Sequence, residues 1–250
     1  MSSDALVSST MKGGICELVL NNPGRKNALS MALLSNLNNE LDSIASENVR
    51  VVIVTGAGGT FSAGADFADL TGTIADRAMD DAIEQVVLQI RAIPVPVIAA
   101  IEGPCMGGAV DIALACDFNV ASELAFFEVP AARLGLLYRP SAIRRWHTRL
   151  SPSTLRRILI LGERLKATDA AQAGIVSHLV PEGLALKTAQ EFATRIKEGS
   201  RDAIASAKNL LVSLEGGEID LTRWEQIYEE TLDSPERNEL ISQMKDSMDS

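Results

Sequence analysis

Two short runs of branched apolar residues, each ending in a glycine-rich loop, constrain this chain more than any other feature. The first is Val51-Val52-Ile53-Val54-Thr55, followed by G-A-G-G-T-F-S-A-G-A-D. The second is Val97-Ile98-Ala99-Ala100-Ile101, preceded by Pro94 and Pro96 and broken by Glu102-Gly103-Pro104. Runs of this length and branching read as buried strands. After the second run, Gly107-Gly108 opens the Ala-rich stretch Ala109–Cys116, which reads as a buried helix. A strand, a glycine turn and a helix start leave bare N–H groups at the positive end of a helix dipole, where a developing oxyanion can be held. On this segment alone, an ordinary strand-to-helix connection is the more common reading.

The chain of 250 residues is long enough for one large core or a domain with an appendage. Its 46% hydrophobic content argues against disorder, and with only 4% aromatic residues the core must be built from Ala, Val, Ile and Leu. No apolar run reaches the roughly 18 residues that span a bilayer. Residues 1–14 lack the apolar block of a signal peptide, and Cys16, Cys105 and Cys116 show no paired spacing, so a reducing cytoplasmic setting without disulfides or a metal is expected. A net charge of −10 disfavours nucleic acid and anionic membranes as partners.

In chain order, residues 1–10 are small and polar and are expected to fray. Ile15–Leu20 reads as a strand, and Ser30 as the cap of a helix with Leu33, Leu34, Leu37, Leu41 and Ile44 on one face. Ala68–Arg91 reads as helical, with Ile83, Val86, Val87 and Ile90 on one side. Arg133–Arg149 carries five arginines, which read either as a solvated or inter-subunit face or as an anion site. Four helices are expected at the end: Ala185–Lys197, Ala203–Leu214, Leu221–Leu232 and Glu236–Met248.

The loop after Thr55 fails two familiar patterns. Phe61 stands where a dinucleotide fingerprint needs its third glycine. Thr60-Phe61-Ser62-Ala63-Gly64 only approaches a hydrolase nucleophile elbow, and neither His147 nor His178 sits in a motif suggesting a base.

Taken together, Ser62-Ala63-Gly64-Ala65-Asp66 and Pro104-Cys105-Met106-Gly107-Gly108 resemble the paired signature of the crotonase (enoyl-CoA hydratase/isomerase) superfamily. Asn27-Ala28-Leu29, Ala115–Asp117 and Leu161–Val176 fall where that family has similar residues, and the resemblance runs from about Asn21 to about Gly183. It implies an α/β fold, a crotonase-like spiral of repeated ββα units over residues 1–184, with a C-terminal helical oligomerisation region over 185–250. It implies an acyl-CoA thioester as substrate, with coenzyme A entering as part of that substrate, and a homotrimer or dimer of trimers. Arg25 and Lys26 would lie near the nucleotide end of coenzyme A, with Ala63, Gly64, Ala65 and Asp66 also along the coenzyme. The N–H groups of Ala65 and Gly108 would hold the thioester oxyanion, and the segment around 68–91 would cover the acyl chain.

The acid/base residues depart from that family. The two glutamates of enoyl-CoA hydratases fall at Asp111 and Ala131, so two-carboxylate hydration is not expected; Glu128, three residues before Ala131, is a candidate substitute. The position used for an aspartate by isomerases and dehalogenases falls at Arg139. Leu134–Tyr138 is similar to the corresponding piece of methylmalonyl-CoA decarboxylases, which makes Tyr138 and Arg139 candidates for orienting a leaving carboxylate. Three readings stay open: an acyl-CoA enzyme using Asp111, Glu128, Tyr138 and Arg139 in some combination, a 2-carboxyacyl-CoA decarboxylase, and a non-catalytic acyl-CoA-binding relative. The tail lacks the family's aromatic-then-basic run before the terminus.

Overall fold

The computed structural model describes residues 5–44, 48–217 and 219–248. Strands β1 (Val7–Lys12) and β2 (Ile15–Leu20) form an antiparallel hairpin. Its turn is Gly13-Gly14, both at positive φ, the backbone a two-residue hairpin loop requires. Residues 7–10 are therefore not frayed. Their polar side chains mark an edge strand whose far side faces water, and residues 1–4 lie outside the described residues.

From β2 the sheet grows by parallel pairing. Helix α1 (Met31–Ile44) leads to β3 (Val51–Gly56), α2 (Arg77–Ala92) to β4 (Val97–Ile101), and the short β5 (Pro104–Met106) and α3 (Gly108–Ala115) to β6 (Phe118–Ser122). Next come β7 (Phe126–Glu128), α4 (Pro140–Arg149), α5 (Pro152–Leu159), β8 (Leu165–Lys166), α6 (Ala167–Gln172) and β9 (His178–Val180). The large sheet has the order β1-β2-β3-β4-β6-β9, and β5-β7-β8 form a second, smaller one. Each turn of the chain thus adds a strand to the large sheet, a strand or bridge to the small one, and a helix. This is the repeated ββα spiral.

Burial on both faces explains the unbroken apolar runs. Along β3 and β4, Val52, Val54, Val97, Ala99 and Ile101 join the main core with α1, α2 and α3, while Val51, Ile53, Ile98 and Ala100 point the other way. That second face is covered by α7 (Ala185–Lys197) through Ala185, Ala189 and Ala193, whose spacing by four puts small side chains in one close-packed row. α7 therefore belongs by packing to its own chain's core, which revises the expectation that every helix after residue 184 packs on a neighbour.

Ser30 caps α1 by accepting the Leu33 N–H at 3.1 Å, and the five apolar residues assigned to its inner face are all buried. α2 starts at Arg77, later than the expected helix at Ala68. Residues 67–76 instead make two 3₁₀ turns, which Asp66 and Thr73 cap by accepting the N–H groups of Ala68 and Ala75. These small polar residues give the backbone local partners that compete with helix. The remaining helices are α8 (Arg201–Gly216), α9 (Leu221–Leu232) and α10 (Pro235–Met248). Lys208 anchors α8: its buried ammonium donates to the Ile90 and Val95 carbonyls, both at 2.9 Å, and pairs with Asp117 at 2.9 Å. Beyond that anchor the tail leaves Leu211, Leu214, Leu221, Tyr228 and Leu232 exposed. No helix among the described residues is long and apolar enough to cross a membrane.

Candidate active site

The two glycine loops are joined to each other. Ser62 and Cys105 form a parallel bridge in which the Ser62 N–H donates to the Pro104 carbonyl and the Met106 N–H to the Ser62 carbonyl, both at 3.0 Å. Ser62 is fully buried and its hydroxyl accepts the Gly64 N–H at 3.1 Å, so it serves the loop and is closed to any role as a nucleophile. The Gly107 N–H is tied to the Glu128 carbonyl at 2.8 Å. In this network, the N–H groups of Ala65 and Gly108 make no hydrogen bond among the described residues, although Ala63, Gly64 and Asp66 all spend theirs. Backbone donors away from water are nearly always paired, so two open ones on the wall of one cavity suit a place for a ligand. Gly108 packs closely under α2: a Cβ there would lie 2.6 Å from the Ile83 terminal methyl, which would have to move to admit it.

Both residues line a cavity of about 790 Å³. Its apolar wall includes Leu70, Met79, Ile83, Val129, Leu134 and Leu136. A smaller depression of about 380 Å³ beside it is lined by Arg25, Lys26, Ala63, Ala65 and Asp66. The structure thus brings together Ala63, Gly64, Ala65, Gly108, Asp111, Tyr138 and Arg139 around the main cavity and places Arg25, Lys26 and Asp66 at its neighbour. Asp66 accepts from Arg25 at 2.8 Å and from the Ala68 N–H at 3.0 Å, so it positions Arg25 and a loop.

Glu128 does not belong to this group. Its buried carboxylate turns away to Arg133 and to Arg164, the latter at 2.8 Å, and it does not line the cavity. Burial alone would raise its pKa, but the two guanidinium groups together hold the carboxyl below the usual glutamate value. Ala131 does line the cavity, without a side chain that could carry a proton.

Asp111 reaches the cavity but is heavily engaged. One oxygen accepts from the Trp146 indole at 2.8 Å and the other from Arg145 at 3.0 Å. Burial raises its pKa in spite of these partners. The same Arg145 forks onto Glu84 at 2.8 and 2.7 Å, and this pairing outweighs burial and keeps Glu84 below its usual value. Arg139 bonds Asp81 at 2.6 Å. The Tyr138 hydroxyl donates to the Gly107 carbonyl at 3.3 Å, and its ring lies 4.8 Å from that of Trp146. Burial, with Asp111 and Asp80 adding to it, pushes the phenol well above its usual value, so Tyr138 stays protonated.

Four of the five arginines of 133–149 are thus engaged within the chain: Arg133, Arg139 and Arg145 on carboxylates and Arg149 on the Leu114 carbonyl, while Arg144 is exposed. The solvated-face reading therefore holds for Arg144, while the others are tied up by partners within the chain rather than left as an open anion site. Sequence reasoning missed Glu84, Arg145, Trp146 and, above all, Asp80. Asp80 lines the cavity from the first turn of α2 and has neither a hydrogen bond nor an ion pair among the described residues. The period-four spacing of Asp80 and Glu84 with the buried face of α2 was its only signal in the sequence.

The fold is an α/β spiral of ββα units in which two glycine loops are joined at a strand-to-helix turn. Residues 10–234 match the profile of the family described as Enoyl-CoA hydratase/isomerase, and the chain belongs to that family. It is 31% identical over 246 residues to 2,3-dehydroadipyl-CoA hydratase of Escherichia coli K12, covering 96% of this chain and 94% of that protein. Among solved structures, an enoyl-CoA hydratase/isomerase family protein from Hyphomonas neptunium superimposes with a TM-score of 0.93 at 30% identity, covering 99% and 97% of the two chains. An enoyl-CoA hydratase from Bacillus anthracis gives 0.87 at 30% identity, with 97% and 96% covered.

Proposed function

We propose that the chain binds an acyl-CoA thioester with its carbonyl oxygen between the N–H groups of Ala65 and Gly108, and stabilises the enolate-like oxyanion formed there. The observation that carries this reading is the pair of open N–H donors facing one cavity. Dipoles already fixed in a dry site need no reorganisation as charge develops, and losing one donor costs about 3–4 kcal/mol. The apolar wall of Met79, Ile83, Leu134 and Leu136 suits an aliphatic acyl chain, and Arg25 and Lys26 suit the phosphates of coenzyme A. The coenzyme is part of the substrate; no separate cofactor enters the scheme. Exposed apolar residues on α8 and α9 support a homotrimer or dimer of trimers. The three buried thiols, none in a disulfide, suit a cytoplasmic setting.

Two-carboxylate hydration finds little support at Ala131 and Glu128. Decarboxylation of a 2-carboxyacyl-CoA is also less well supported, because the substrate carboxylate would face Asp80, Glu84 and Asp111 while Arg139 is turned to Asp81. A purely binding role leaves the two aligned donors without a purpose.

The test is calorimetric titration with acyl-CoAs, then turnover of an acyl-CoA panel with products identified by mass. Gly108→Pro removes the donor at the first position of α3; because its Cβ would also meet the Ile83 terminal methyl, circular dichroism must first show a native fold before turnover is read. Turnover is expected to fall on the order of 10²–10³-fold. A folded Gly108→Pro variant with the wild-type rate would overturn the assignment.

A further inference from the structure

We infer that Asp80 is the group that carries a proton between carbon atoms of the bound acyl chain, so that this site isomerises enoyl-CoA thioesters with one carboxylate. The inference rests on the acyl-CoA reading above and adds the reaction type and the residue.

Four carboxylates line the cavity: Asp76, Asp80, Glu84 and Asp111. Three of them are occupied. Asp76 accepts from the Thr71 hydroxyl and from the N–H groups of Thr71 and Gly72. Glu84 accepts both prongs of Arg145, and Asp111 accepts from Arg145 and Trp146. Such bonds take up the carboxylate oxygens and hold each group in place, which suits it to support rather than to moving a proton. Asp80 alone has an uncommitted carboxylate.

Its position also fits. Asp80 and Ile83 are three residues apart on α2 and so share a face, and Ile83 is the side chain packed over Gly108. Tyr138, whose hydroxyl reaches the Gly107 carbonyl, lines the same cavity as Asp80. The uncommitted carboxylate therefore shares one cavity wall with the residue packed on Gly108 and lines the same cavity as the two open N–H donors. Burial raises its pKa, opposed by Arg139 and aided by Asp81 and Asp76, and this moves it toward the range in which a carboxyl both takes and returns a proton.

The step is balanced within the substrate. With a 3-enoyl-CoA bound, Asp80 removes a proton from C2, and the C–H electron pair enters a dienolate whose negative charge rests on the thioester oxygen between Ala65 and Gly108. The double bond shifts to C2–C3, and Asp80 returns the proton to C4. No atom is gained or lost and water takes no part. Hydration would need a second group to hold and activate water, and the other carboxylates are bound to arginine or to the loop.

The experiment follows conversion of 3-octenoyl-CoA to 2-octenoyl-CoA by wild type, Asp80→Asn and Asp80→Glu, with octanoyl-CoA affinity measured by calorimetry for each. Wild type is expected to isomerise faster than it hydrates 2-octenoyl-CoA. Asp80→Asn should lose about 10²–10⁴-fold in kcat with octanoyl-CoA affinity unchanged, and Asp80→Glu should recover part of the rate. Wild-type kcat in Asp80→Asn would overturn the role of Asp80. Hydration outpacing isomerisation in the wild-type enzyme would overturn the reaction type. Failure of the wild-type enzyme to bind octanoyl-CoA at all would instead remove the acyl-CoA reading, and this inference with it.

Discussion

Gly64 lies so close to Met106 that a Cβ built on it would sit 2.7 Å from the Met106 carbonyl oxygen. Its φ of +86° is also one that side chains rarely adopt. The obstacle is backbone, held by the Ser62–Cys105 bridge, so it cannot swing aside. Gly64→Ala is expected to lower stability by about 1–3 kcal/mol and to separate the loops carrying Ala65 and Gly108. Thermal unfolding and kcat should fall together; a variant with unchanged Tm and kcat would show that the loops tolerate the contact.

Arg145 holds two buried carboxylates at once. Arg145→Met would leave Glu84 and Asp111 uncompensated, and a drop of about 3–5 kcal/mol is expected. Adding Glu84→Gln and Asp111→Asn in the same chain should restore most of it, because the loss comes from stranded charge. Denaturant unfolding of the single and triple variants decides this: equal losses would assign the effect to packing.

The pH dependence has a definite sign. Glu84 and Glu128 have pKa values lowered in the fold, so the unfolded chain binds protons more readily at these sites. They contribute stability above the ordinary glutamate range, and it is lost as pH falls through that range toward their lower folded values. Asp111, raised by burial, works in the opposite sense and stabilises less as pH rises. Glu128→Gln should therefore flatten the acid limb of a Tm-against-pH curve. A limb with unchanged slope would mean that Arg133 and Arg164 do not favour the ionised form.

The exposed leucines of the tail predict association. Multi-angle light scattering at micromolar concentration should give the mass of a trimer or hexamer, and Leu211→Asp with Leu214→Asp should reduce it. A monomeric wild type would remove the claim.

Legibility in the sequence followed the range of the interactions. The strands at 51 and 97 and the inner face of α1 could be read because both depend on local pattern. The polar edge strand β1 was hidden, because edge residues carry no apolar alternation and only the Gly13-Gly14 turn betrayed the hairpin. The two loops that carry Ala65 and Gly108 to one cavity were legible through glycine motifs that dictate backbone shape. The carboxylates were not. Whether Glu128 faces the cavity or Arg164, and whether Arg145 meets solvent or Asp111, is decided by residues 34–36 positions apart. Nothing in the spacing of Asp80 told that its neighbours would find arginines and leave it alone.

Met79, Asp80 and Ile83 are carried by one helix, while Leu134 and Leu136 stand on a separate loop. A helix moves as a rigid body, so any change that re-seats α2 to admit a different acyl length also shifts the free carboxylate against the paired N–H groups. Chain-length preference and rate are geared together on that wall and independent on the other. An engineer wishing to retune the substrate without touching turnover would work at Leu134 and Leu136 and leave Met79 and Ile83 alone.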